Sequence, residues 1–586
     1  MNRQSRALLT IVIVAIILIP YAYCARGRDE APPSALAPPP TEQPTRGGTL
    51  IATARSEPRS FNRVASRDFP TELFATLTQG RLVRVNRQTQ EIEPWLAEKW
   101  TTSDDGRSFT LTLRDGVVWS DGIPFTSADV LFTFQAVYDE AVGSHYTSTF
   151  RVAGKPLTVT APDARTVVIT YPAPFAPGIR QLDNLTLLPK HKLEAALTAG
   201  TLAKAWTAAT PPAELVSIGP FMLTRYEPGQ RLVYERNPRY WRRDAQGQQL
   251  PYLDQIVIEI IPEQDTEMVR LQAGQVDFGQ QQLRATDIAG MRTLAAQGKL
   301  QLLDLGVSTD PDSFFFNLRA KQWANDPRGA WLPRKEFRQA ISHAVDREAF
   351  AETVFLGEAV PIHGPVTPGN TRWFWPNIPR YEYSVEKARA LLEGLGLKNR
   401  DQDEWLEDDN GTEARFTLQT FRGSSILERS AAVLRDDLQK IGIAVDVVAL
   451  EANTVISRML EGQFEAVWMA FQGDLDPALN KDYWLSSGTA HVWNLNQQTP
   501  ATDWERQIDE LMTQQASVAD ESERKRIFND VQRIFSEHLP ILHFATPRLY
   551  LAVTPRVVNL QLAQSRPQLL WSPDTLAIRG GGRPAS

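Results

Sequence analysis

The clearest alternation of apolar and polar side chains lies at residues 109–114. Phenylalanine or leucine occupies every second position there, which is the period of a half-buried strand. The next two residues, Asp115-Gly116, supply the positive φ angles of a tight turn. The pattern therefore predicts that this strand is one arm of a β-hairpin.

A helix is predicted to begin shortly after this turn. Asp121-Gly122 and Pro124 turn the chain again, and Thr126 or Ser127 can then cap the helix N-terminus. Apolar residues at positions 130, 131 and 134 follow at helical spacing. They predict a helix with one buried face.

The rest of the first half is predicted to be rich in β-structure. A helix is expected near residues 71–77, between the first strand and this region. Short apolar or alternating runs bounded by polar turns predict six more strands. These lie at residues 49–52, 157–160, 166–170, 221–223, 231–236 and 255–260.

The second half alternates between helical and strand patterns. Helices are predicted at residues 335–350, from 385 to the glycine at 396, and at 426–441, 454–460 and 521–538. Strands are predicted at 444–448 and 464–469. Helix and strand in this alternation predict an α/β lobe whose sheet is covered by helices.

The N-terminus carries a targeting pattern. Arg3 and Arg6 precede an apolar run that ends at Cys24, the only cysteine of the chain. Such a run is typical of a secretory signal, and Cys24 is then a candidate for lipidation. Tyr23 and Tyr21 depart from the small residue and leucine usual before a lipidated cysteine. An uncleaved membrane anchor is the alternative, because the run approaches the ~17 residues that a spanning helix needs.

A proline-rich segment follows, and both alternatives make it a tether. Residues 25–46 contain six prolines and scarcely any large apolar side chain. Such a segment cannot bury enough surface to fold and is expected to be an extended spacer.

Composition limits the classes of protein to which the rest of the chain can belong. The full chain is 42% hydrophobic and 22% charged, which is typical of globular proteins, and the length of the body predicts three or four lobes. The net charge of −7 argues against nucleic acid as a partner. No further apolar run long enough to span a bilayer follows Cys24, and no cysteine is left for a disulfide.

No catalytic or metal motif stands out. The seven histidines show no zinc-binding helix spacing, and nucleophile-elbow, phosphate-loop and dinucleotide patterns are missing from the sequence. Asp401-Gln402-Asp403 resembles part of a calcium loop but lacks the closing glutamate. We therefore expect no catalytic residue, no metal and no cofactor.

A series of short strings resembles one known family in order along roughly 500 residues. Each string is weak evidence by itself, and their order makes the resemblance specific. In chain order the strings are Gly47-Gly48-Thr49-Leu50, Pro94-Trp95-Leu96-Ala97-Glu98-Lys99-Trp100, the segment from Leu113 to Phe134, Leu188-Pro189-Lys190-His191, Ile218-Gly219-Pro220-Phe221, Asn237-Pro238-Arg239-Tyr240-Trp241, Tyr252-Leu253-Asp254, Gly274-Gln275-Val276-Asp277, residues 337–347 and residues 386–392.

The chain thus resembles the family 5 extracellular solute-binding proteins, the peptide receptors of bacterial ABC importers. The resemblance implies an α/β, two-lobed periplasmic-binding-protein type II (Venus-flytrap) fold with an extra mixed α+β subdomain in the first lobe. Two crossing strands, near residues 303–305 and 540–542, would link the lobes. The implied division is signal or anchor 1–24, linker 25–46, lobe I 47–84, extra subdomain 85–213, lobe I again 214–305, lobe II 306–538, and a return to lobe I with the tail at 539–586.

Asp474 is the leading candidate for ligand recognition. It follows the apolar strand predicted at 464–469, and ligands bind at strand ends in open α/β sheets. In peptide-binding relatives an aspartate in a matching glycine-aspartate position pairs with the α-ammonium of the ligand. The alternative is a turn aspartate that caps the next helix.

Aromatic residues with neighbouring amides are the second group of candidates. Flat side chains beside an amide suit a cleft that buries apolar ligand surface and bonds a peptide main chain, although each also suits a core. The candidates are Phe61, Asn62, Phe315, Asn317, Phe471, Trp493 and Asn494.

The predicted function is capture of short peptides by hinge closure and delivery to the transmembrane subunits of an ABC permease. We expect a monomer in the periplasm or on the outer face of the cytoplasmic membrane, with no nucleic acid partner. A nickel chelate, a sugar or another small solute is the alternative ligand. An exported hydrolase or a chaperone-like scaffold is the alternative class.

Overall fold

The computed structural model describes residues 45–279, 282–471, 473 and 475–579. The predicted signal or anchor, Cys24 and nearly all of the linker lie outside these residues. Within the described part of the chain, no helix is both long and apolar enough to cross a bilayer.

The first lobe is built on an eight-stranded mixed sheet. Thr49–Ala54 lies near its centre and pairs in parallel with Gln255–Ile260, in which Ile256 and Ile258 point into the core. The helices beside the sheet are Phe69–Thr78, Gln264–Gln272 and Ala285–Ala296. In sheet order the strands are Phe221–Glu227, Arg231–Arg236, Gln255–Ile260, Thr49–Ala54, Phe278–Gly279, Ala545–Val553 and Gln301–Val307, and Ala359–Pro361 pairs with Ala545–Val553.

An antiparallel sheet of four strands forms a second layer of this lobe. Its order is Ala97–Thr102, Ser108–Leu113, Thr166–Thr170 and Thr158–Asp163. The hairpin predicted at Asp115-Gly116 is wrong. The turn is present, with Gly116 at φ 68°, but Ser108–Leu113 pairs with the strands on either side of it in the sheet. The chain beyond Gly116 leaves the sheet, because its only bridge there joins Val118 to Pro124.

The predicted helix after the second turn is confirmed as Ser127–Tyr138. Thr126 is its N-cap, and its hydroxyl accepts a hydrogen bond from the backbone N–H of Ala128. Asp129 completes a capping box by accepting from the N–H of Thr126 at 3.0 Å. Two otherwise unpaired backbone donors are satisfied, which fixes where the helix begins.

The second lobe contains a five-stranded sheet with helices on both faces. In sheet order its strands are Ala444–Leu450, Arg415–Phe421, Ala466–Ala470, Asp312–Phe316 and Ile541–Leu542. Its longer helices are Lys335–Ala344, Arg347–Phe355, Val385–Gly394, Ser425–Gln439, Ala452–Glu461, Asp503–Ser517 and Glu521–His538.

One predicted helix of this lobe is two helices. The helical pattern of residues 335–350 is interrupted at Val345, whose backbone is extended at φ −99° and ψ 119°. Asp346 then caps the next helix by accepting from the N–H groups of Glu348 and Ala349. The apolar period continues through the break, so periodicity alone could not reveal the cap.

Strand alternation sorts the apolar side chains of the second lobe into two cores. Phe314 and Phe316 belong to the cluster on one face of the sheet. Phe315 points to the other face and joins a separate cluster with Trp493 and Tyr483. Because side chains alternate along this fully buried strand, it contributes to the hydrophobic cores on both faces of the sheet.

A single hydrophobic cluster extends through both sheets of the first lobe. Leu50 of the large sheet, Leu111 of the four-stranded sheet and Val130 of the capped helix all belong to it. The predicted extra subdomain therefore shares a continuous core with the rest of the lobe, and its predicted boundaries at 85 and 213 stay predictions.

The remaining short elements lie at the surface or between the larger ones. The strand pairs are Val83–Val85 with Ile92–Pro94, Arg151–Val152 with Lys155–Pro156, and Val557–Val558 with Ala577–Ile578. The short α-helices are Tyr146–Thr149, Gly178–Gln181, Ala320–Trp323 and Lys481–Trp484, and Lys190–Thr198 is longer. The 3-10 turns are Leu182–Asn184, Leu202–Lys204, Pro212–Glu214, Pro327–Ala330, Pro477–Asn480 and Val492–Asn494.

Candidate ligand-binding site

Two segments cross between the large sheets of the two lobes. Residues 308–311 lead from Gln301–Val307 in the first lobe to Asp312–Phe316 in the second. Residues 543–544 lead back from Ile541–Leu542 to Ala545–Val553. Two short connectors side by side form the geometry of a hinge.

A small cavity lies beside the first crossing segment. It is lined by Thr309 and Pro311 of that segment, by Phe471 and Gly473 after the strand Ala466–Ala470, and by residues from 365–373 and 477–484 with Phe528. Its volume is about 40 Å³. This is room for a few water molecules, and a peptide can enter only if the walls separate.

Gly473 ties the loop of the second lobe to the crossing segment. Its N–H donates to Oδ1 of Asp310 at 2.9 Å. A Cβ atom at this position would lie 2.4 Å from the carbonyl oxygen of Thr309. Only glycine permits this approach of two backbones. Burial raises the pKa of Asp310 above its ordinary value, although the bond from Gly473 opposes that shift.

The far end of the same loop is fixed by a buried ion pair. Asp476 accepts from both terminal nitrogens of Arg524, at 2.6 and 3.0 Å, and neither side chain is more than 7% exposed. Asp476 also caps the turn Pro477–Asn480 through the N–H of Ala478. The guanidinium of Arg524 stacks 4.9 Å from the ring of Trp373, a cavity-lining residue. The loop is therefore anchored at both ends.

Of the predicted site residues, the structure places Phe471 on the cavity wall. Its ring lies 6.0 Å from that of Phe315 and 5.9 Å from that of Tyr483. Phe315 is fully buried behind it, and Trp493 is 1% exposed in the same core cluster. Neither of these two side chains reaches the cavity in this arrangement of the lobes.

The other predicted aromatic and amide residues take part in packing and backbone support. Phe61 is fully buried against Phe74, with ring centroids 4.8 Å apart. Asn62 donates to the carbonyl of Leu202 at 3.0 Å. Asn317 donates to two backbone carbonyls of the segment 462–464 at 3.2 Å. Asn494 is half-buried and does not line the cavity. A ligand contact of these residues stays a prediction.

Asp474 and Gln472 lie outside the residues that the structure describes, as does Cys24. The described neighbour Gly473 lines the cavity.

Three residues that were not predicted also line the cavity: Thr309, Thr367 and Trp373. Thr367 donates from its hydroxyl to the carbonyl of Ser308 at 2.5 Å, so its segment is joined to the hinge. One available signal was the long proline- and glycine-rich stretch between Pro361 and Val385, because long irregular segments often carry function.

The lobes also contact each other away from the hinge. The N–H of Ala176 in the first lobe donates to the carbonyl of Ala516 in the second at 2.7 Å. Arg372 of the second lobe forms an ion pair with Glu91 of the first at 3.4 Å. The structure therefore has the lobes in contact.

The acidic turn singled out by its calcium-like spacing brings three carboxylates together. Oxygens of Asp401, Asp403 and Glu407 lie within 4.8 Å of one another, and the two aspartates are exposed. Exposed acidic groups approach each other in many turns without a metal. The turn is far in sequence from the cavity-lining loop.

Two α/β lobes, paired connectors and a cavity formed by one connector and the second lobe define a hinged binding protein. The chain belongs to the bacterial extracellular solute-binding proteins, family 5, whose "Middle" model matches residues 91–492. The match covers more than half of the chain, so the family predicted from the sequence strings is confirmed.

Individual relatives agree with this assignment. A probable ABC transporter-binding protein of Deinococcus radiodurans is 27% identical over 89% of this chain and 90% of its own length. Heme-binding protein A of Haemophilus influenzae is 28% identical over 81% of this chain and 83% of its own length. The solved structure of the oligopeptide-binding protein AppA from Bacillus subtilis in complex with a nonapeptide has a TM-score of 0.69 at 23% identity, covering 92% of this chain and all of that one. The last similarity supports the two-lobed fold.

Proposed function

We propose that this protein is an extracytoplasmic receptor that captures short peptides between its lobes and delivers them to an ABC permease. The observation that carries the proposal is the cavity at the hinge, whose wall includes Thr309 of a crossing segment and Phe471 and Gly473 of the loop that contains Asp474. It is not an enzyme in this proposal, because binding and release are its whole task.

The mechanism is a population shift between open and closed lobes. The cavity of about 40 Å³ is too small for a peptide, so binding begins in a more open state. A ligand favours closure only by the extra contacts that it makes when both lobes touch it. Closing contacts such as Ala176 with Ala516 then add to those of the ligand.

Asp474 is the proposed partner of the peptide α-ammonium. Asp474 directly follows the cavity-lining Gly473 in the sequence. A carboxylate bonded to an ammonium in a partly dry site contributes about 1.5 to 3 kcal/mol. Phe471 would provide the apolar surface beside it.

The test is the substitution Asp474→Asn, which keeps the shape and removes the charge. We expect free-amine peptides to bind roughly tenfold more weakly and N-acetylated peptides to bind as before, measured by isothermal titration calorimetry. Asp503→Asn is the control, since this aspartate is exposed and does not line the cavity. Equal affinities of the wild type and Asp474→Asn for free-amine peptides would remove Asp474 from the site.

A non-peptide solute such as a nickel chelate or a sugar is the second candidate ligand. It is favoured by the family itself, because a relative of 28% identity is named for heme. Native mass spectrometry of the protein as purified distinguishes the candidates by the mass of a co-purified ligand. Peptide masses support the first candidate, and a single non-peptide mass supports the second.

An exported hydrolase or a chaperone-like scaffold would behave differently. Incubation of the purified protein with mixed peptides, followed by mass spectrometry, would reveal turnover by a hydrolase. Saturable binding of small ligands without binding of unfolded chains would separate the receptor from a scaffold.

The receptor is proposed to be a tethered monomer in the periplasm or on the outer face of the cytoplasmic membrane. Either a lipid on Cys24 or the uncleaved apolar run at residues 7–23 would hold it, and the proline-rich spacer would let the lobes stand off the surface. The intact mass of the membrane-extracted protein separates the two. Loss of residues 1–23 with an added lipid mass supports lipidation, and a full-length unmodified chain supports the anchor.

A further inference from the structure

A second and much larger cavity lies between the lobes, away from the hinge. Its volume is about 740 Å³. One wall belongs to residues 149–153 and 173–181 of the first lobe, and the other to residues 478–485 and 509–517 of the second. The size falls in the range of small-molecule sites.

This cavity is separate from the hinge cavity. The segment 477–485 divides them, with Pro477, Asn480, Tyr483 and Trp484 facing the hinge cavity. The intervening residues of the same segment, Leu479 and Asp482 among them, line the large one. The division follows from the turns of this segment, which place neighbouring side chains on opposite sides.

The walls of the large cavity are mainly apolar. Phe175 of the first lobe and Leu479, Leu485 and Met512 of the second contribute hydrocarbon surface. Leu479 and Phe175 also belong to or pack against the continuous core cluster of the first lobe. An occupant with an apolar body would therefore be removed from water by both lobes.

The charged side chains at the wall of the large cavity differ in how many hydrogen bonds and ion pairs they already form. The ammonium of Lys481 donates to the carbonyls of Arg151 and Ser148 at 3.1 and 3.4 Å, and Arg151 donates to the carbonyl of Gly154 at 3.1 Å. The two cations are thus bound to backbone oxygens of the first lobe. Lys481 makes two such bonds and has about one N–H group left for an occupant, whereas Arg151 makes one and keeps further donors.

The carboxylates of the wall also have free acceptor positions. The side-chain carboxylate of Asp482 has no hydrogen bond or ion pair among the described residues, while its backbone carbonyl accepts from the N–H of Ala490 at 3.0 Å. Asp509 accepts from the N–H of Ser486 at 2.8 Å and keeps further acceptor capacity, and burial raises its pKa. Glu510 is paired with Arg506 at 2.8 Å. A cationic group on the occupant would satisfy the open acceptors.

We propose that this interlobe cavity is a second ligand site for a small apolar molecule that carries one ammonium group. Asp482 would accept from the ammonium, and Phe175, Leu485 and Met512 would cover the apolar body. Because the walls belong to different lobes, opening of the hinge separates them. Occupancy of this site therefore favours the closed arrangement, independently of the identity of the transported solute.

The test uses three probes with the same body: 4-phenylbutylamine, 4-phenylbutanol and 4-phenylbutyrate. Calorimetric titration of the full-length protein should give tighter binding of the amine than of the alcohol, and the weakest binding for the acid. Asp482→Asn should weaken binding of the amine roughly tenfold and leave the alcohol unchanged. The matched control Asp503→Asn, which removes an exposed carboxylate outside the cavity, should change neither.

A second variant keeps the test decisive if Asp482→Asn folds poorly. Thr513 is an exposed helix residue at the cavity wall, so Thr513→Trp adds bulk without disturbing a core. It should abolish binding of both the amine and the alcohol. Unchanged binding in Thr513→Trp would overturn the proposal.

The amine could instead enter the hinge site, where Asp474 is proposed to bind ammonium groups. The two sites are distinguished by Asp474→Asn, which should leave binding of 4-phenylbutylamine intact. Loss of amine binding in Asp474→Asn together with full binding in Asp482→Asn would assign the probe to the hinge site and refute the second site. Small-angle scattering should also show a smaller radius of gyration with the amine, and an increase would refute the coupling to closure.

Discussion

Asp312 carries a carboxyl group whose burial should be measurable as a pH-dependent loss of stability. It is the first residue of the strand that follows the first crossing segment, and it is 7% exposed. Its Oδ2 atom has no hydrogen-bond partner among the described residues. Burial raises the pKa of this carboxyl from 3.8 to about 7.

The size of the effect follows from proton linkage. A folded pKa of about 7 against an unfolded pKa of 3.8 is a difference of about three units. At about 1.36 kcal/mol per unit, the ceiling is about 4 kcal/mol. The folded state holds the proton more tightly, so stability is fully present below pH 3.8 and is lost as pH rises toward 7. Above that pH the penalty is constant.

The substitution Asp312→Asn removes this penalty while keeping the shape of the side chain. We expect the variant to exceed the wild type in free energy of unfolding by up to about 4 kcal/mol at pH 8 and by much less at pH 5. The measurement is urea unfolding at both pH values, followed by tryptophan fluorescence. Asp503→Asn, an exposed control, should show no such trend.

An equal difference in free energy of unfolding between variant and wild type at pH 5 and at pH 8 would contradict this prediction. That result would mean that the carboxyl ionises normally in the folded protein. Neighbouring His543, whose ring nitrogen lies 3.0 Å from the carbonyl of Asp312, titrates in both proteins and cancels in the difference.

Three further predictions concern the hinge and its loop. Burial lowers the pKa of His543 to about 4. Because the folded state binds this proton more weakly than the unfolded state, the free energy of unfolding should fall by about 3 kcal/mol from pH 6.5 to 4. Thermal melts of His543→Phe should show a smaller dependence on pH. Gly473→Ala places a Cβ atom 2.4 Å from the carbonyl oxygen of Thr309, so it should destabilise the closed form by about 1 to 3 kcal/mol. Calorimetry should then show weaker ligand binding. Unchanged affinity would mean that the loop moves freely. Arg524→Met leaves the carboxylate of Asp476 buried without its partner, and urea unfolding should show a loss of about 3 to 5 kcal/mol in free energy of unfolding. The double variant with Asp476→Leu should regain much of this stability. Equal losses in the single and the double variant would show that the unpaired charge is not the cause.

Much of the secondary structure could be predicted because its determinants are local. The last long helix was predicted over residues 521–538 and is Glu521–His538 in the structure. The helix capped by Thr126 was likewise predicted from one hydroxyl and a following apolar period. The errors occurred where a cap interrupts a continuing period, as at Asp346, or where a turn does not return the chain to its own sheet, as after Gly116.

The site was less predictable, since its residues come from distant parts of the chain. Alternation along the strand Asp312–Phe316 shows that Phe315 and its neighbours face opposite ways, but both faces of this sheet are buried. Nothing local to Phe471 distinguishes it from Phe315, although it alone of the two borders the cavity. Trp373 reaches that wall through a segment without periodic pattern.

The amino-acid sequence by itself indicated the family, most of the strands and helices, the helix capped by Thr126 and the turn at Gly116, because each depends on residues that are neighbours along the chain. Only the tertiary structure decided which aromatic rings border the hinge, that Asp476 meets Arg524, and that a large cavity opens between the lobes. These features depend on packing between segments that lie from tens to hundreds of residues apart, and the free energy of such contacts is not encoded in any local period.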